Sequence, residues 1–326
     1  MKRILLYLIL SGAAAIHTYG QDDLEPVNTG AANYLTIPTD ARSAAMGGTG
    51  VALTGSDNAI FHNGATSLLD HTGKGGVTYT YSPWMRDYES GFSLHSLGGF
   101  YKLNKRNAIL VGFRYFGYPK IEGIEEGASA IHPKEMAVEA GYAYEVVKNL
   151  AVSATFKYLY SDMGKVGNND GASSVAFDLG VLYKQEMNGM DGANWSVGLQ
   201  ASNLGPKIKY LTSKEALPAM VKVGGATDLP FSQMHRLIVT ADLGYRLAPD
   251  DVQALNVSAG AEYILMEHFM LRGGYHYGDK EKGDNSYATA GAGVKYKGAH
   301  LDFAWLFAGN DCPVRNTFWL SLGYSF

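Results

Sequence analysis

The sequence predicts an all-β chain: a fourteen-stranded antiparallel transmembrane β-barrel with a small N-terminal plug folded into its lumen. Three observations carry that expectation. The chain opens with an export leader, and no later run of 18 apolar residues offers a membrane helix. From residue 75 onward apolar and polar residues alternate with period two, up to the closing "TFWLSLGYSF". Only helices and closed barrels satisfy every backbone group in lipid, so an exported, helix-free, alternating chain points to the outer membrane.

Bulk composition narrows the function classes. With 27 basic and 31 acidic residues the net charge is -4, which offers no attraction for nucleic acid. Charged residues make up only 18% of the chain, low for a soluble domain, while 40 Gly and 22 Tyr stand out. The single cysteine, Cys312, excludes an internal disulfide and any multi-cysteine metal site.

The first twenty residues, "MKRILLYLILSGAAAIHTYG", read as a secretory signal peptide. Lys2 and Arg3 precede an apolar core, and small residues lead to an expected mature start at Gln21. Residues 21–74 alternate poorly and are expected to form the plug. Within them Ala41 to Met46 is a short helix candidate with Thr39 or Asp40 as N-cap, ended by Gly47 and Gly48. Met46, Gly47, Gly48 and Asn63 mark this plug motif. The glycines are not a nucleotide loop, because no Lys-Ser/Thr follows them, and His62 and His71 lack metal-ligand spacing. Neither a cofactor nor a metal is expected.

Fourteen strands follow, at about 75–82, 92–102, 107–117, 136–147, 150–161, 173–185, 194–204, 218–227, 235–247, 252–265, 268–277, 286–297, 299–308 and 316–326. The connections support the count. "LNKRN", "VKN", "MEH" and "KG" follow even strands, and long Gly- and charge-rich pieces follow odd ones. "QEMNGMDGAN" is the one turn longer than its side predicts. Short turns belong to the periplasmic rim of such barrels, so both termini are expected there. Parity sends Arg114, Glu139, Lys157, Asp178, Asp242, Arg246, Glu262, Arg272 and Asp302 to the lumen, with Gln200, Lys222 and His276. A Lys or Arg on the lipid face at mid-membrane would cost ~2–4 kcal/mol. With the plug inside, structural pairing is the first reading of these charges and a transport path the second.

Certain blocks resemble a known family. "DARSAAMGGTGVALTGSDNAIFHNGA", "SPWMRD", "HPKEMAVEAGYAY", "ASNLGPKIKY" and "LRGGYHYGDKEKGDNSYATAGAGVKYKGAHLDFAWLF" are similar to the PorV/PorQ outer-membrane proteins of type IX secretion, closer to the PorV branch. Gly64 stands where that family usually has proline, and the outside loops are short for it. The resemblance implies a FadL-like barrel acting as a shuttle. It would bind the C-terminal signal domain of cargo and dock to the large translocon barrel and a surface sortase.

Three functions compete. An escort protein needs exposed loop surface, and Trp84 and Arg86 in "YSPWMRDYES" combine an aromatic anchor with a cation; Trp84 also reads as a girdle aromatic. A FadL-like channel for hydrophobic small molecules would need an apolar lumen, which the mixed charges oppose. An enzyme could draw on Ser258, His276 and Asp242, but no motif links them and no catalysis is expected.

Overall fold

The computed structural model describes residues 30–69, 73–87, 90–122, 130–164, 171–210, 213–310 and 312–326. The expected leader, the mature start at Gln21, and His71 lie outside them.

Fourteen antiparallel strands close into one barrel. They are β1 (Gly75–Pro83), β2 (Ser93–Asn104), β3 (Asn107–Gly117), β4 (Lys134–Val147), β5 (Leu150–Asp162), β6 (Ala172–Glu186) and β7 (Asn194–Leu204). There follow β8 (Met220–Pro230), β9 (His235–Arg246), β10 (Leu255–Leu265), β11 (Phe269–Tyr277), β12 (Tyr287–Tyr296), β13 (Ala299–Phe307) and β14 (Phe318–Ser325). Each strand pairs with its neighbours in sequence, and β14 closes on β1 with Tyr79 opposite Leu322 and Tyr81 opposite Leu320. The closed barrel itself leaves no edge to template aggregation, which is why its last strand can alternate to its end.

The tight turns gather at one rim. At Lys297–Gly298 both residues have positive φ, 48° and 87°, the backbone that suits a two-residue hairpin to strand twist. The turn from Met187 to Ala193 sits on the same rim and is longer than its neighbours. The opposite rim carries the long loops. From the loop between β7 and β8 rises a small extra ladder, Ile208–Lys209 against Lys214–Glu215, which strand periodicity did not announce.

Outward positions such as Val111, Val138, Leu179, Leu271 and Leu322 are exposed as a lipid-facing wall requires. Inward positions mix small and polar residues with large apolar ones, such as Leu110, Leu159, Leu182, Leu306 and Trp319, which pack in clusters with the plug that fills the lumen. The plug enters at the long-loop rim, where the Ala31 amide donates to the Ala216 carbonyl at 2.9 Å. It then passes through a 3-10 turn at Asn33–Thr36 and the short helix α1 at Ala41–Ala45. Two further 3-10 turns, Ala59–Phe61 and Gly64–Ser67, lead to the other rim, where the Lys74 amide donates to the Phe326 carbonyl at 2.7 Å. Gly30 and Phe326 therefore lie at opposite rims.

Candidate functional site

What occupies the lumen decides what the barrel can do. Asp40 caps α1, its carboxylate accepting from the Ser43 amide at 2.8 Å, and Met46 ends the helix. Burial pushes the Asp40 carboxyl up, but the His62 ring at 2.9 Å and the Ser43 amide outweigh it, so it titrates below the ordinary range. Gly47 (φ 73°) then turns the chain against the wall so tightly that a Cβ there would sit 2.5 Å from the Tyr275 carbonyl oxygen.

One half of the wall is joined to the plug by a chain of charges. Glu262 on β10 and Arg272 on β11 face each other in register, their side chains 2.6 Å apart. Arg42 of the plug reaches the same carboxylate at 2.6 Å and donates to the Thr54 and Gly55 carbonyls. Arg272 continues to Asp302 at 2.6 Å, Asp302 to His300 at 2.8 Å, and His300 to the plug's Asp57 at 3.0 Å. Removing one member of such a buried set costs ~3–5 kcal/mol, because its partner keeps an uncompensated charge.

The other half of the wall carries its own cluster. Arg114 pairs with Glu139 at 2.8 Å, and Lys157 with Asp178 at 2.7 Å. Arg114 also donates to the plug's Leu35 carbonyl at 2.9 Å and lies 4.6 Å over the Phe61 ring. Asn203, in left-handed backbone (φ 57°) where the β6–β7 register slips, takes a bond from Lys157 and gives its amide to Asp178. Asp242 holds the plug amides of Gly50 and Val51 at 2.8 and 3.2 Å. Asn63 is buried and donates to the carbonyls of Val51 and of Val181 on β6, so it ties two plug turns to the wall.

The sequence-selected residues thus fall into separate places. Arg114, Glu139, Lys157, Asp178, Asp242, Glu262, Arg272 and Asp302 are buried inside the barrel, and Arg246 is half-buried near the long-loop rim. Met46, Gly47, Gly48 and Asn63 lie in the plug against the wall. Trp84 and Arg86 stand on the long-loop rim but diverge. Trp84 is half-buried and meets Trp319 edge-on at 6.1 Å, and Trp319 donates to the plug's Pro38 carbonyl. Arg86 is exposed above the Phe318 ring, 5.7 Å from its centre.

Ser258 and His276 do meet, at 2.9 Å, but the carboxylate on the far ring nitrogen is Asp284, from the loop after β11, also at 2.9 Å. Asp242 is engaged by the plug instead. The contact clasps that loop to the wall. Burial pushes the Asp284 carboxyl up, but hydrogen bonds from the His276 ring and the Asn256 amide hold it below its ordinary range.

Arg42, Asp57, His300 and Trp319 belong to the site without having been singled out. Parity along "AHLDFAWLF" would have found His300, whereas the aperiodic plug gives no such signal for Arg42 or Asp57. Two cavities flank the plug: one of about 670 Å³ on the short-turn side and one of about 190 Å³ beneath the long loops.

Several solved structures share this architecture. The toluene transporter TbuX of Ralstonia pickettii superposes with a TM-score of 0.59 at 16% identity, covering 88% of this chain and 98% of its own. The toluene transporter TodX of Pseudomonas putida gives 0.58 at 14%, with 88% and 98% covered. A FadL homologue of Pseudomonas aeruginosa gives 0.52 at 12%, again with 88% and 98%. At such identities the likeness is one of fold. No curated protein matches the chain. The family model described as type IX secretion system protein PorV matches residues 20–253, and this outer-membrane β-barrel belongs to the PorV family.

Proposed function

We propose that the protein works as a shuttle and attachment component of type IX secretion, binding the C-terminal signal domain of cargo and docking to the translocon barrel and surface sortase. The observation that carries this reading is family membership over residues 20–253. A lumen occupied from rim to rim by a bonded plug agrees with it, since an escort needs a firm platform rather than a conduit. In this reading the long-loop rim faces outward, the leader has been removed, and Trp84 and Arg86 belong to the surface offered to partners. The half-buried Trp84 would shape that surface from below, and Arg86 would supply an accessible cation.

A FadL-like channel for hydrophobic small molecules is the second reading, favoured by the two toluene transporters among the similar folds. The charges at the plug–wall contact oppose it. Extraction of a tagged copy from its native membrane in mild detergent separates the two. Recovery of a very large barrel, a sortase, or proteins ending in a common β-rich domain is the expected outcome. A lone barrel, with those proteins left in the membrane, would favour the channel.

A further inference from the structure

We propose that the cavity beneath the long loops is a binding site for a small oxyanion group, a carboxylate or a phosphate, with Lys222 and Arg246 as its cations. The cavity holds about 190 Å³, room enough for a group of a few heavy atoms. Alternation along β8 and β9 turns both side chains inward: Val223 and Tyr245 beside them are exposed, and both cations are half-buried in the cavity lining.

These two cations differ from the fully buried ones inside the barrel. Arg114, Lys157 and Arg272 each have a carboxylate within 2.8 Å. Among the described residues neither Lys222 nor Arg246 has one within 4.0 Å. Arg246 Nε is buried with no hydrogen-bond partner among the described residues, and its Nη2 makes a single long bond of 3.4 Å to Asn33. The two carboxylates that line the same cavity are already spent. Asp242 accepts from two plug amides, and Asp284 takes His276 and Asn256.

Asp242 and Asp284 act on Lys222 and Arg246 only from beyond 4.0 Å, and half-buried cations with no carboxylate in contact are costly to keep. An oxyanion would relieve that cost through charge-assisted bonds, the guanidinium presenting a planar fork to either group. Trp84, Val252 and Lys282 also line the cavity, so a ligand would arrive from the long-loop rim. The site stands on these contacts alone, independent of any cargo or channel role.

Calorimetric titration of the purified full-length barrel in detergent at low ionic strength, with inorganic phosphate and separately with acetate, tests it. Saturable one-to-one binding of either anion is expected; the anion that binds fixes the class. Lys222→Met and Arg246→Met should each weaken binding by roughly tenfold. Lys222→Arg should retain it, and so should Lys295→Met on the opposite rim. Heat-dependent gel migration establishes that each variant is folded. Absence of saturable binding by both anions, or undiminished binding in both folded methionine variants, overturns the proposal.

Discussion

Asn63 shows how much a single plug residue carries. Its amide nitrogen serves two carbonyls, one within the plug and one on β6, while its oxygen caps the next turn by accepting from the Ala65 amide. All of this is buried, and an orphaned buried polar group costs ~1–3 kcal/mol. Asn63→Ala should therefore lower the thermal midpoint of the folded barrel. Asn63→Asp should lower it further at neutral pH, because an acceptor-only carboxylate would face two carbonyl oxygens. Heat-modified gel migration over a temperature series reads the order directly; an aspartate variant as stable as wild type would deny Asn63 its role as a donor. Gly64 beside it has a similar reason for its identity, since a Cβ there would lie 3.1 Å from Ser153 Cβ on the wall.

At the scale of elements, α1 and the glycine turn after it fit a wall thinned to receive them. A Cβ at Gly274 would sit 2.3 Å from the Gly47 amide nitrogen, and one at Gly260 would sit 2.4 Å from Met46 Cβ. Overpacking of this kind costs ~1–3 kcal/mol, so Gly274→Ala should loosen the plug and expose residues 41–55 to protease. Gly225→Ala, with no atom nearer than 3.8 Å, should leave the digestion pattern unchanged. Equal digestion of the two variants would mean the glycine seat does not hold the plug. The same contrast explains what could be read from the chain beforehand. Strands were legible because each inward or outward choice repeats every second residue, and "SVAFDLGVLY" or "LIVTADLGYR" declares its faces locally. Strand ends were less so: β8 runs on to Pro230, and β10 starts at Leu255 because Asp250–Val252 form a 3-10 turn. The inward charges were legible individually, but their partners were not. Arg42 meets Glu262 from 220 residues away, and nothing periodic in the plug marks Arg42 or Asp57 as a bridge.

For the molecule as a whole, the question is whether the plug is a wall or a door. The bonds that hold it are distributed: Arg42 and Asp57 on one side, Asn63 and Leu35 on the other, and backbone contacts at both rims. Opening the lumen would require breaking many of these together, whereas work at the long-loop rim needs none of them broken. A covalent lock separates the two. Gly64 and Ser153 would bring their Cβ atoms to 3.1 Å, within a few tenths of an ångström of the ~3.5–4.5 Å a disulfide needs. Gly64 also has no positive φ to oppose a side chain. In a Cys312→Ser background, Gly64→Cys with Ser153→Cys should oxidise to a plug fixed on β5. Under the escort reading, secretion of cargo by cells carrying the oxidised form should match that of the reduced form and of wild type. If secretion instead falls on oxidation and returns on reduction, the plug must move during function, and the lumen rather than the rim becomes the working part of the barrel.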